Sequence, residues 1–346
     1  MQKDKKAPEN ELKAKRKNNF DILKCMCAFL IVCIHAPFPG IFGEYFTALT
    51  RIAVPIFFMI TGFFYKNTVK RSREVFQIKK IAFLFVTSNV LYFLLMLNDG
   101  MESISSIFTV KSILSFLFLN ASPFSDHLWY LGAILYTLII VYILNKAGKI
   151  KILYILTPLL LLGDLILGKY SLLLFGNEFP YVFVRNFLFV GIPYFCIGML
   201  IFQYRDIIKR KLSKTKLIIC TFTFSVTTIL ERFILESNNL NAARDHYIST
   251  TFLAVCLFIL FMISFQGDIK FINKLAAKIG REYSTGIYIL HPLIIRIFNK
   301  LINIIGFETA YAFVQPIIVF IFTTVAVAVI CFIIKKLNIK KWVRFL

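Results

Sequence analysis

Three polar side chains share one face of the first apolar run of this sequence. Asp21, Lys24 and His35 stand three and eleven residues apart. Eleven residues of α-helix return to within about 20° of the starting direction and climb about 16 Å. Such a face carries a charged end and, further along, an imidazole, whose pKa near 6.5 lets it take and return a proton at about neutral pH. A second stripe, Ser284, Tyr288 and His291, follows i, i+4, i+7 spacing and would line one side of a cavity. Arg51, Arg185, His127, Trp129, Glu231, Arg232 and Arg296 add charged or aromatic groups at the ends of apolar runs or inside them.

A charged side chain inside a span costs about 2.5–3.5 kcal/mol on insertion scales, so each embedded charge is a candidate functional group. Taken singly, any of them is also explained by a snorkelling arginine, a satisfied bundle histidine or a stripe of interhelical hydrogen bonds. As a set, several cations against only Glu231 and Asp164 as embedded acids require buried partners or an anionic ligand. No serine or cysteine stands out as a nucleophile, and the histidines and carboxylates have no metal-ligand spacing.

The elements that must hold these residues are membrane helices. With 58% hydrophobic residues, 39 Phe and a mean hydropathy of +0.75, the 346-residue chain is too apolar for a soluble domain. Apolar runs at 20–37, 52–65, 81–97, 128–145, 152–167, 181–203, 217–235, 248–265, 283–305 and 312–334 predict an all-α, polytopic integral membrane bundle of about ten transmembrane helices. The segment 107–119, short and carrying Lys111, is expected to be a re-entrant or interfacial helix.

Of the 40 Lys and Arg, 32 fall in segments 1–24, 66–80, 146–151, 205–216, 267–281 and 335–346, which are alternate connections. The bias of Lys and Arg towards cytoplasmic loops therefore predicts that both termini are cytoplasmic. It also accounts for the net charge of +22 without a nucleic-acid partner. Residues 1–17 read as a disordered basic tail, 18–335 as a single membrane domain and 336–346 as a second basic tail. The seven cysteines sit mostly inside apolar runs without redox or zinc spacing and read as packing residues. The basic lead into the first run is not followed by a small-residue cleavage site, which predicts a retained helix.

From about residue 18 to residue 335 the sequence resembles the acyltransferase-three family of bacterial membrane acyltransferases. The most specific stretch, Arg51-Ile52-Ala53-Val54-Pro55-Ile56-Phe57-Phe58-Met59-Ile60-Thr61-Gly62-Phe63, matches that family's R-x-x-V-P-x-F-F-x-x-S/T-G-F/Y signature. Asp21, Lys24 and His35 match its acidic residue, basic residue, ten-residue gap and histidine. Further matches are His127-Leu128-Trp129-Tyr130-Leu131, Arg185 with Gly191-Ile192-Pro193-Tyr194-Phe195, and Ser284-Thr285-Gly286-Ile287-Tyr288-Ile289-Leu290-His291-Pro292. Lys24 stands where the family usually has arginine, and an ammonium cannot make a planar bidentate contact. A similar R-x-A-V-P-x-F-F-M-x-S-G stretch and H-L-W-Y motif occur in the membrane half of vancomycin-resistance serine racemases.

The resemblance implies a multi-pass protein of the bacterial cell membrane, surrounded by lipid and holding no bound cofactor. It would move an acyl group, most simply acetyl, from cytoplasmic acyl-CoA (acetyl-CoA) to a hydroxyl of an external acceptor such as a surface or cell-wall polysaccharide. It implies His35 as general base and Arg51, with Arg185, as the group that holds the acceptor or stabilises the oxyanion. Lys24 and Asp21 would place the donor, and His127, Trp129, Tyr288, His291 and Glu231 would line the acceptor side. Two other readings stay open: a serine transporter like the membrane half of those racemases, or a non-catalytic polysaccharide export component.

Overall fold

The computed structural model describes residues 6–98, 107–264 and 271–337, with the side chains of 6–17 and 271 left aside. All its regular elements are helical: α1 (Lys6–His35), α2 (Gly40–Thr50), α3 (Ala53–Lys70), α4 (Glu74–Asn98), α5 (Val110–Leu119), α6 (Trp129–Lys146), α7 (Lys151–Asp164), α8 (Ser171–Phe175), α9 (Ile192–Lys211), α10 (Lys214–Ser237), α11 (Ile248–Ser264), α12 (Phe271–Glu282), α13 (Ser284–Ile305) and α14 (Glu308–Lys336).

Among the described residues nine helical stretches are long and apolar enough to cross a membrane. They are Asn18–His35 of α1, α2 with α3, α4, α6 with the turn before it, α7 with its continuation to Lys169, α9 with the turn before it, α10, α13 and α14. The remaining expected run is α11, which is apolar but only 17 residues long. The segment expected not to cross contains α5, whose ten residues are too short to do so. Helix α1 extends back to Lys6, through most of the stretch expected to lack regular structure, and α14 carries helix to Lys336. Residues 1–5 and 338–346 of the two expected tails lie outside the described residues.

Helix α1 is the hub, touching α2, α3, α11, α12, α13 and α14. Leu23, Cys27, Ala28, Ile31, Val32 and Cys33 are buried along it, so it is apolar nearly all round, as a central membrane helix should be. Two glycine contacts set the helix spacing. A Cβ on Gly62 of α3 would stand 2.0 Å from the Phe195 carbonyl oxygen, and one on Gly198 of α9 2.1 Å from that of Met59. These backbones touch, which is how membrane helices gain dispersion energy where no water is expelled. Likewise a Cβ on Gly280 would fall 1.7 Å from the Asp21 carbonyl oxygen, fixing α12 against α1 beside Asp21. The outer helices α10 and α14 show large apolar side chains such as Phe222, Phe233, Phe322 and Phe332 on their open faces, the surface a bilayer would cover.

Candidate active site

Two cavities meet inside the bundle, and the helix breaks place polar groups around them. The helix breaks at Arg51 and Ile52, between α2 and α3 and at the start of the second expected span, so the Arg51 side chain leaves the chain where one helix ends and the next begins. Arg185 precedes its helix rather than lying in it, because the chain turns through Tyr181–Phe183 and becomes helical only at Phe187. His127 sits in the tight turn Asp126–Leu128 ahead of α6.

The first cavity, about 40 Å³, is lined by His35, Arg51, His127, Trp129, Tyr130, Arg185, Asp245, His246 and Tyr288 among others. Here Arg51 donates to Asp245 and Arg185 donates to Asp126. The Arg185 guanidinium also lies over the rings of Tyr181, at 4.1 Å, and Trp129, at 5.4 Å. Burial alone would raise the Asp245 carboxyl, but Arg51 and then Arg185 more than reverse this, and it is held far below the ordinary carboxylate range. The embedded arginines are therefore paired by acids from neighbouring turns.

Three histidines gather at one edge of this cavity. The His291 ring is 4.9 Å from that of His35 and 5.4 Å from that of His127, and His35 and His127 are 6.4 Å apart. The residue after His291 fixes its tautomer. Pro292 has no N–H to offer the Tyr288 carbonyl one turn earlier. That carbonyl instead accepts from Nδ1 of His291 at 2.8 Å, and the Ile287 carbonyl lies at 3.1 Å. The hydrogen is thus on Nδ1, and Nε2 is a buried acceptor without a hydrogen-bond partner among the described residues. Nδ1 of His127 is 2.7 Å from Oγ of Ser125, and the Tyr288 hydroxyl donates to the His127 carbonyl. His35, by contrast, is exposed at the end of α1.

The second cavity, about 260 Å³, is lined by Lys24, Lys80, Arg281, Gln77, Thr61, Ser284 and Thr285. Two of its three cations are gathered by one carboxylate: Lys24 Nζ lies 3.5 Å from Asp21, and Arg281 3.8 Å from the other oxygen of Asp21. Tyr130 and Tyr288, with ring centres 5.3 Å apart, line both cavities and form the wall between them.

The structure thus brings His35, Arg51, Arg185, His127, Trp129 and Tyr288 to one cavity, with His291 against His35, and puts Lys24 in the other with Asp21 beside it. Glu231 belongs to neither. Its carboxylate caps α11, accepting from the backbone N–H of Ile248 at 2.8 Å and Ser249 at 3.1 Å and from the Ser249 hydroxyl at 2.5 Å. Arg232 is also spoken for, by the Glu44 carbonyl and by Glu236 at 3.0 Å.

Sequence reasoning missed Asp126, Asp245 and His246, because they lie in polar connections without helical periodicity, and Tyr181, because at the start of an apolar run it reads as one more apolar residue. The connection 238–247 is pinned in place by Lys169 Nζ, which donates to the Ala242 carbonyl at 2.7 Å, and by Glu178, which takes Arg244 at 3.1 Å and the Ala243 N–H at 2.9 Å. Among the described residues no three His, Cys, Asp or Glu side chains are grouped so as to hold a metal ion.

The chain is 28% identical over 314 residues to an amino-acid racemase of Enterococcus faecalis, covering 83% of this chain and 42% of that protein. It is 26% identical over 305 residues to a serine/alanine racemase of Enterococcus gallinarum, covering 81% and 41%. The chain thus spans less than half the length of these curated relatives. No solved structure matches. The family profile described as an acyltransferase domain matches residues 17–336, nearly the whole length and every residue of both cavities, and the chain belongs to the acyltransferase-3 family.

Proposed function

We propose that the protein transfers an acyl group, most simply acetyl, from acyl-CoA to a hydroxyl of an acceptor such as a surface or cell-wall polysaccharide, across the membrane of a bacterial cell. The observation that carries this reading is the pair of cavities on either side of Tyr130 and Tyr288. The basic one, with Lys24, Lys80 and Arg281, suits the phosphates of a coenzyme. The other offers imidazole and guanidinium groups to an acceptor and a developing oxyanion. The distribution of Lys and Arg supports a cytoplasmic side for both termini, and with them for the basic cavity.

In this mechanism the thioester reaches the tyrosine wall from the basic cavity and the acceptor hydroxyl arrives at exposed His35. The imidazole removes the hydroxyl proton as the oxygen attacks the thioester carbon. Arg51 and Arg185, already fixed by Asp245 and Asp126, stabilise the oxyanion. The C–S bond then breaks and coenzyme A leaves. Lys24 serves as a point charge for a phosphate, a task that does not need the planar fork of arginine.

His35→Ala tests the reading. In membranes matched for protein level, radiolabelled acetyl-CoA should label the surface glycan with wild type, and the variant should lose at least about 100-fold of that rate. Undiminished transfer by the variant rules out His35 as base. A second reading, amino-acid transport, draws on the likeness to two proteins named as racemases. It gains the field if wild type binds no acyl-CoA and reconstituted protein moves labelled serine.

A further inference from the structure

The histidine-lined cavity holds one more imidazole, which the family motifs do not reach and the scheme above leaves idle. His246 is 4% exposed and lines the same cavity as His35 and Arg51. Its Nδ1 is 2.7 Å from a carboxylate oxygen of Asp164, which is 5% exposed at the end of α7. With Nδ1 held by Asp164, Nε2 is the ring nitrogen that remains for the cavity. An imidazole fixed in tautomer and orientation by a buried carboxylate is the arrangement by which proteins prepare an acid–base group. Among the described residues, His35 has no carboxylate hydrogen-bonded to it.

The groups facing His246 are Asp164 from α7, its neighbour Asp245, Arg51 from the break between α2 and α3, and Tyr194 of α9, with its ring centre 5.7 Å away. Across the cavity stand His35, His127, Arg185 and Tyr288. Desolvation opposes protonation of His246, but Asp164 and then Asp245 outweigh both it and Arg51, and its pKa is raised above the ordinary histidine value. The two imidazoles thus occupy contrasting surroundings: His35 is exposed where an acceptor can approach, and His246 is sealed into the wall beside two acids. Titratable groups set apart in this way divide naturally into a base and an acid.

We propose that His246, oriented by Asp164, is the general acid that protonates the departing thiol, acting opposite His35; this rests on the acyl-transfer reading above. As the acceptor O–H bond breaks, its proton passes to His35, and the oxygen forms the new bond to the acyl carbon. The C–S bond breaks with its electron pair going to sulfur, which takes the Nε2 proton of His246 and leaves as the free thiol. The proton on His35 returns through solvent to His246, so nothing is consumed beyond donor and acceptor.

The test uses full-length protein in membranes, radiolabelled acetyl-CoA, and kcat/KM for surface-glycan labelling as a function of pH. Wild type should give a bell, with the acidic limb from His35 and the alkaline limb from His246. His246→Gln should fall about 100-fold at the optimum and lose the alkaline limb while keeping the acidic one. Asp164→Asn keeps the imidazole but removes its charge partner, so the alkaline limb should move to lower pH, and Asp164→Glu should restore part of it. If His246→Gln fails to accumulate in membranes, the limb shift in Asp164→Asn decides.

An equal loss at every pH would mean that the pair only braces connection 238–247 against α7, and would overturn the proposal. So would loss of the acidic limb, which would make His246 a base, or unchanged kinetics in His246→Gln. Absence of transfer by wild type refutes the acyl-transfer reading and this inference together, whereas wild-type transfer with unaltered limbs in the variants refutes this inference alone.

Discussion

Gly62→Ala is a small change on paper and a large one in this bundle. Its added Cβ would stand 2.0 Å from the Phe195 carbonyl oxygen, more than 1 Å inside contact, and that oxygen belongs to rigid helix backbone. Helices α3 and α9 must therefore separate. A buried side chain makes about 40–60 atom contacts of about 0.1–0.2 kcal/mol each, and a gap of up to ~1 Å forfeits a quarter to a half of them. The fully buried Phe58, Met59, Tyr194 and Phe195 lie along this interface. Lipid refills part of the gap, which leaves a net cost of about 2–4 kcal/mol. In detergent that corresponds to a Tm lower by roughly 5–10 °C, read by loss of the monodisperse peak of a fluorescent fusion after heating.

Gly198→Ala meets the Met59 carbonyl oxygen at 2.1 Å across the same interface and should cost a similar amount. Once the helices have parted for one methyl group, the second enters more cheaply, so the double variant should lose about 2 kcal/mol less than the sum. Strict additivity, or a Gly62→Ala protein as stable as wild type, would refute the claim that these two backbones touch.

Three further outcomes are expected. Lys24→Ala should raise the KM for acetyl-CoA about tenfold, equivalent to about 1.4 kcal/mol, while Lys24→Arg keeps it, because the charge beside Asp21 rather than its shape is used; equal KM values in steady-state kinetics would remove Lys24 from the donor site. Glu231→Gln should lower thermal stability by about 1–2 kcal/mol through the α11 cap while transfer per correctly folded molecule is unchanged; a selective loss of acceptor affinity would return Glu231 to the site. Asp245 has its folded-state pKa depressed, chiefly against burial by Arg51, so its contribution to stability is complete above about pH 4 and disappears as pH falls below that. Melting temperatures from pH 7 down to pH 3 should therefore fall less in Asp245→Asn than in wild type, from a lower starting value; parallel curves would show that the pair contributes nothing to folding.

Periodicity and composition carry the helices well, since a span must be long, apolar and internally hydrogen-bonded wherever it sits. The Asp21, Lys24 and His35 face was legible for the same reason, although its two ends open into different cavities, which spacing along one helix cannot reveal. His291 illustrates a subtler signal. The proline that follows it releases the carbonyl that fixes its tautomer, a consequence readable from two adjacent letters once the helix is known. Asp245 and His246 were illegible because their partners, Arg51 and Asp164, are 194 and 82 residues away, and nothing in a polar connection marks which of its charges turns inward. Glu231 erred in the opposite sense: an acid near the end of an apolar run looks the same whether it binds a ligand or caps the next helix.

The two tyrosines between the cavities have an electrical consequence. With solvent on both sides, the membrane voltage would fall mainly across the wall made by these two phenol rings instead of across the full hydrocarbon thickness of about 30 Å, so the local field would exceed the average. Moving one elementary charge through that drop is worth about 2.3 kcal/mol per 100 mV. In the proposed transfer a neutral acyl group would cross without feeling it, whereas the phosphates of a coenzyme carrier and the ions of either compartment would not. A septum of this kind passes the group to be transferred while remaining an insulator.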